Sequence, residues 1–232
     1  MFNIPNNTKP SLSLGGGQAV QPQQTQQQYA QQPIQQQYSQ SPTGRGVSLV
    51  KGQKVSLSKM DSALRNIKVC LGWDVGDNYD LDTEAFILGS NGRVLGDSWL
   101  VFYNQPSSPD GAINHSGDNK TGQGDGDDEI ISIDLSRINQ NVDKIVFTVT
   151  INEAVQRNLN FSGVRNAFVR VINAETNIEL VRFDLSQYFG NFSSLIVGEL
   201  YLRNGEWKFN SLANGVNEDL FGLCTRYGIN VN

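Results

Sequence analysis

The chain has 232 residues, of which 38% are hydrophobic and 18% are charged, and its formal net charge at pH 7 is -5. This length suits one β-rich domain with a substantial core plus a tail, and the negative charge argues against nonspecific binding to nucleic acid. No apolar run approaches the roughly 20 residues of a membrane helix, and residues 1–17 lack a secretory signal pattern. We therefore expect a cytoplasmic protein without a transmembrane segment.

Residues 1–46 differ in composition from the rest of the chain. Between Gln18 and Gln40, 13 of 23 residues are glutamine, and such a stretch has too little apolar surface to offset the entropy of ordering it. We predict a disordered arm at 1–46 and one folded domain at 47–232. Two interpretations of the arm stay open: a passive extension, and a segment that self-associates through its glutamines with Tyr29 and Tyr38.

From Val47 onward, apolar residues recur at every second position, which is typical of half-buried strands. The clearest example is the alternation of Ile67, Val69, Leu71 and Trp73 with smaller or polar residues. Further strands are predicted at 47–57, 84–88, 93–102, 130–135, 145–151, 167–172 and 178–185. Asn91-Gly92 and Asn204-Gly205 carry the dipeptide favoured in two-residue hairpin turns. The pattern predicts a mainly β fold, a β-sandwich of two sheets.

A short C-terminal helix is predicted from four residues at i, i+3, i+4 and i+7: Leu220, Leu223, Cys224 and Tyr227. Asn217 is the predicted N-terminal cap, and Gly228 is expected to end the helix. Cys70 and Cys224 are the two cysteines of the chain, and they lack the paired spacing of a zinc or redox site. We interpret both as reduced, structural thiols.

The acidic residues are concentrated in two windows, 74–84 and 110–129, which hold 11 of the 23 carboxylates in 31 residues. Crowded carboxylates repel each other and raise each other's pKa unless a cation or water screens them. A solvated acidic loop is the alternative. A bound cation is favoured because Asp80 and Asp82 share one face of a strand, and because four glycines let loop 117–129 curl around a centre.

Calcium is the predicted cation, since the carboxylates of the two acidic windows and the glycine-exposed carbonyls offer hard oxygen ligands. His115, the single histidine, is interpreted as a plain loop residue, so no His/Cys cluster is present for zinc or copper. The loop is not an EF-hand. Lys120 and Gly122 stand at ligand positions of that motif, and Gln123 replaces its required glycine.

Seven separated motifs resemble the TerD family of tellurite-resistance and stress proteins in their order and spacing. They are Gly46-Val47-Ser48-Leu49 with Lys51-Gly52, Leu71-Gly72-Trp73-Asp74, Asp80-Leu81-Asp82, Phe102-Tyr103-Asn104, loop 117–129, Val142-Asp143-Lys144-Ile145, and Asn204-Gly205-Glu206-Trp207-Lys208-Phe209. The resemblance implies a calcium-binding β-sandwich over about residues 46–232. By position it implies these metal ligands: Asp80, Asp82, Asp118, Asn119, Asp125, Asp127 and Glu129, with Asp74 as a weaker candidate.

The resemblance also implies a role in stress response and tellurite resistance. The Gln-rich arm is similar to that of a slime-mould branch described as cyclic-AMP-binding, which makes cyclic AMP an alternative ligand. Other TerD-family proteins are possible partners. An enzyme is disfavoured, because the sequence has no Gly-x-Ser-x-Gly elbow and no complete phosphate loop. The sequence thus predicts a calcium-binding stress or signalling module, with a cyclic-AMP-binding protein as the alternative.

Overall fold

The computed structural model describes residues 46–74, 79–122, 126–185 and 190–231. The predicted arm, apart from Gly46, lies outside these residues. Twelve strands occur within the described part: β1 Val47–Ser48, β2 Lys54–Ser56, β3 Asn66–Gly72, β4 Leu81–Leu88, β5 Leu100–Val101, β6 Ile113–His115, β7 Glu129–Asp134, β8 Lys144–Ile151, β9 Phe168–Asn173, β10 Glu179–Asp184, β11 Ser194–Arg203 and β12 Glu206–Val216. Three short helices accompany them: α1 Leu57–Met60, α2 Ala154–Arg157 and α3 Leu220–Arg226.

The strands form two six-stranded sheets. The first sheet has the order β1-β10-β9-β3-β7-β6, and the second has the order β2-β12-β11-β8-β4-β5. The strand pairs are antiparallel except for β1 with β10. The predicted mainly β fold with two sheets and a short C-terminal helix is confirmed.

Strand β4 is buried on both faces, and this explains where its acidic residues lie. Leu81, Ala85 and Ile87 belong to the core cluster between the sheets. Phe86 belongs instead to a second cluster, where it packs with Leu223 of α3. Because strand residues alternate between faces, the even-numbered positions 82 and 84 lie on the α3 side. Two carboxylates are therefore placed on a largely covered sheet face.

Several predicted elements differ from the structure. The predicted strand at 47–57 is interrupted by a turn at Lys51-Gly52, where Gly52 has a φ of 78°. The predicted strand at 93–102 is mostly irregular, with a 3-10 turn at Asp97–Trp99 before the two-residue β5. Strand β6 and the long strands β11 and β12 were not predicted as strands, although the turn that joins β11 to β12 was.

The predicted turns and helix ends are found in part. The predicted two-residue turn at Asn91-Gly92 was wrong, because only Gly92 has positive φ, 73°, and the turn there begins at Gly89. Asn204 and Gly205 both have positive φ, 55° and 76°, as the predicted hairpin turn requires. Gly228 has a φ of 87° after α3, and Cys224 is buried against the second cluster. The predicted cap was wrong, because the Asp219 carboxylate, not Asn217, accepts the Gly222 N–H at 2.9 Å. No helix within the described residues is long and apolar enough to cross a membrane.

Candidate metal centre

Three of the predicted ligands converge where the two sheets meet. Asp80 immediately precedes β4, Asp82 is the second residue of β4, and Asp118 lies in the loop between β6 and β7. One carboxylate oxygen from each of these three residues lies within 4.8 Å of the other two. The group is therefore assembled from the second sheet and from a loop of the first.

The carboxylates of Asp80 and Asp82 lack some or all of the partners that buried polar groups normally have, whereas Asp118 Oδ2 lies 3.7 Å from Lys120 Nζ. Asp80 Oδ2 accepts a hydrogen bond from Asn152 Nδ2 at 2.9 Å, whereas Asp80 Oδ1 is buried without a partner. Asp82 is 6% exposed, and no hydrogen bond or ion pair of its carboxylate is found in the described part of the chain. Burying an unpaired carboxylate is costly, and a bound cation would remove that cost.

Burial and neighbouring negative charge both raise the pKa of Asp82. Burial, followed by the carboxylates of Glu84, Glu129, Asp80 and Asp118, raises the pKa of Asp82 to about 8. The pKa of Asp80 is also raised, mainly by burial, although the hydrogen bond from Asn152 opposes that rise. Without a cation, Asp82 is thus held partly in its protonated form.

Glu84 is a further acid on the same face of β4, and it was not among the predicted ligands. It is fully buried, and its two oxygens accept hydrogen bonds from the hydroxyl groups of Thr148 and Thr150, the latter at 2.6 Å. Burial raises its pKa to about 8 against the effect of these bonds. Its i+2 spacing from Asp82 was the signal that could have placed it beside the site.

Glu129 and Asn119 are bonded to the loop and to β4. Glu129 Oε2 accepts the Thr83 N–H at 2.7 Å, and Glu129 Oε1 lies 3.5 Å from the donating Asn119 N–H. The Asn119 side chain accepts the Thr121 N–H at 3.2 Å and donates to Asp128 Oδ1 at 3.1 Å. Glu129 thus contacts the β4 backbone, whereas Asn119 bonds to Thr121, Asp128 and Glu129.

Asp127 and Asp74 lie outside the three-carboxylate group. Both oxygens of Asp127 accept hydrogen bonds from Arg170, at 2.8 Å from Nε and 2.9 Å from Nη2. Asp74 is exposed and accepts a hydrogen bond from Asn166 at 2.5 Å. Asp125, another predicted ligand, lies outside the described residues. Of the eight predicted ligands, the structure thus brings together Asp80, Asp82 and Asp118.

The donor set fits a hard divalent cation. Three carboxylates supply oxygen ligands of the type that calcium prefers, and calcium tolerates irregular geometry and water in its remaining positions. A cavity of about 180 Å³ opens beside Asp82. It is lined by Tyr103, Asn152, Glu153, Asp219 and Phe221, among others. Solvent can reach the group from this side.

Comparisons with known proteins identify the family of the chain. A model of the TerD domain matches residues 46–227. The tellurium resistance protein TerD of Serratia marcescens is 46% identical over 190 residues, which cover 80% of this chain and 99% of that protein. General stress protein 16U of Bacillus subtilis (strain 168) is 45% identical over 190 residues, which cover 80% of this chain and 98% of that protein.

A solved structure resembles the fold as well. It is the crystal structure of a homologue of telluride resistance protein (TerD) from Streptomyces coelicolor A3(2), with a TM-score of 0.58 and 26% sequence identity. The match covers 68% of this chain and 94% of that one. By its domain match and by its similarity to these relatives over nearly their full lengths, the chain belongs to the TerD domain family.

Proposed function

We propose that this chain is a calcium-binding module of the stress response, without catalytic activity, and that Asp80, Asp82 and Asp118 hold the ion. The observation that carries the proposal is the unpaired, buried Asp80 Oδ1 beside the unpaired Asp82 carboxylate. A cation would stabilise the ionised form of two such groups beside a third carboxylate that lies within 4.8 Å. The names of the relatives, tellurium resistance protein and general stress protein, support the stress context.

Isothermal titration calorimetry of the full-length protein with calcium tests this proposal. We expect binding with a dissociation constant on the order of micromolar, as in calcium sensors, and weaker binding of magnesium. The substitution Asp82→Asn should abolish most of the calcium signal. Asp143→Asn removes the same charge at an exposed position next to the far end of β8 and should leave the affinity unchanged. Absent binding, or equal losses in both variants, would refute a defined site.

Cyclic-AMP binding, the alternative implied by the resemblance, stays a prediction. The cavity beside Asp82 is lined by the carboxylates of Glu153 and Asp219, which repel phosphate unless a cation bridges them. Titration with cyclic AMP, first in chelator and then in calcium, checks this alternative. Heat from cyclic AMP in chelator would favour a cyclic-nucleotide-binding protein over a calcium module.

A further inference from the structure

His115 was predicted to be a plain loop residue, and this prediction was wrong because His115 lies in a strand. It is the last residue of strand β6, and its side chain is fully buried. His115 Nδ1 accepts the Gly117 N–H at 3.0 Å. Since that bond uses the Nδ1 lone pair, the proton of the neutral ring lies on Nε2. The side chain therefore presents an acceptor to the loop and a donor to the opposite side.

The donor side of the ring faces Glu129. His115 Nε2 lies 3.5 Å from Glu129 Oε2 and has no hydrogen-bond partner of normal geometry within the part of the chain that is described. The same Glu129 oxygen accepts the Thr83 N–H at 2.7 Å. Strand β4 pairs with β5 only at Ala85 and Phe86, so Glu129 bonds the β4 backbone beyond the end of that pairing. His115 thus adjoins a carboxylate that ties the first sheet to β4.

The two backbone groups connected in this way flank two of the three clustered acids. Gly117 directly precedes Asp118, and Thr83 directly follows Asp82. The His115 imidazole therefore lies between two groups. It accepts a hydrogen bond from Gly117 in the loop that carries Asp118, and it lies 3.5 Å from Glu129 Oε2, which bonds the strand that carries Asp82.

We propose that His115 is a positioning residue of the cation site, which holds Asp118 at the correct distance from Asp82 and does not itself bind the ion. This inference rests on the proposed function. Residues that orient ligands typically change metal affinity by about 10–100-fold when they are replaced, because the ligands must then be ordered by the ion itself. A histidine that only filled the core would change stability and leave affinity as it was.

Two substitutions test the acceptor side and the donor side of the His115 ring separately. His115→Asn keeps an acceptor near the Nδ1 position, and His115→Gln keeps a donor near the Nε2 position. We expect each variant to bind calcium about 10–100-fold more weakly than the wild type in calorimetry on the full-length protein. His115→Phe, which lacks both groups, should bind at least as weakly as either one.

Ser108→Ala is the matched control. Ser108 is buried. Its hydroxyl accepts the N–H of Ile113, the first residue of β6, at 3.0 Å, at the end of β6 away from loop 117–129. This variant should lower the melting temperature in chelator, because a buried hydrogen bond to β6 is lost, while its calcium affinity stays at the wild-type value. Its behaviour shows what destabilisation of β6 alone does.

The outcomes are separable. Wild-type affinity in all three His115 variants, or an equal loss of affinity in Ser108→Ala, would overturn the positioning role alone. A wild-type protein that binds no calcium would overturn the proposed function and this inference with it. If a variant is largely unfolded in chelator, the rise of its melting temperature with calcium concentration still reports its dissociation constant.

Discussion

Replacing Asp82 by asparagine should stabilise the protein without calcium and should remove the stabilisation that calcium provides. At pH 7 the folded protein keeps Asp82 largely protonated, since its pKa is raised from 3.8 to about 8. Holding such a carboxyl protonated at that pH costs about 4 kcal/mol. The new amide would be buried without its full set of partners, which offsets the gain by about 1–3 kcal/mol. The net stabilisation expected in chelator is on the order of 2 kcal/mol.

Thermal melts in chelator and in calcium measure both effects. For a domain of this size, the expected gain in chelator raises the melting temperature of Asp82→Asn by roughly 4–8 °C above the wild type. Calcium at about 100 times its dissociation constant should stabilise the wild type by about 2.7 kcal/mol and the variant by little. In calcium, the melting temperature of the wild type should therefore equal or exceed that of Asp82→Asn. A variant that is less stable in chelator, or that gains as much from calcium as the wild type, would refute this account of Asp82.

Three further predictions follow from other contacts. Asp110 accepts hydrogen bonds from Ser108, Ala112 and Asn139. Asp110→Asn should therefore lower the melting temperature by a few degrees, because about 1 kcal/mol is lost per bond. Calorimetry should show unchanged calcium affinity, and a weaker affinity would place Asp110 in the site. Trp73 packs against Gly122 of loop 117–129, so calcium should change tryptophan fluorescence in the wild type and not in Trp73→Phe. A fluorescence change that persists in the variant would mean that another tryptophan reports binding. Below about pH 8 calcium must displace the Asp82 proton, so calcium affinity should rise from about pH 6 to pH 8, and a flat affinity profile would contradict the raised pKa of Asp82. Stability in chelator should instead fall as the pH rises from 3.8 to about 8, because in that range the folded state binds more protons than the unfolded state.

The alternation of apolar residues predicted the fold where strands have one face toward the core. Strand β3 is such a case, since Ile67, Val69 and Leu71 are in the core between the sheets. Strand β11 was missed because it is buried on both faces. Its residues Leu195 and Val197 face one cluster and Ile196 the other, so the period of two disappears. The two-residue turn at Asn204-Gly205 remained visible, because positive φ restricts the residues that can occupy it.

The composition of the site was predictable, and its arrangement was only partly so. Local spacing placed Asp80 and Asp82 together correctly, because both belong to one short segment. Asp127 was predicted as a ligand, but its partner Arg170 lies 43 residues away on β9, and no local pattern predicts that contact. His115 gave no signal at all, because its importance comes from the pairing of β6 with β7, which aligns His115 with Ile131, two residues from Glu129.

A crystal structure of the calcium-loaded protein, with the anomalous signal of calcium recorded, tests the central claim most directly. The account predicts an anomalous peak about 2.3–2.6 Å from oxygens of Asp80, Asp82 and Asp118, with Asp127 still paired to Arg170 and His115 beside Glu129. No peak at these three carboxylates at saturating calcium, or a peak bound by Asp127 or Asp74 in their place, would contradict it.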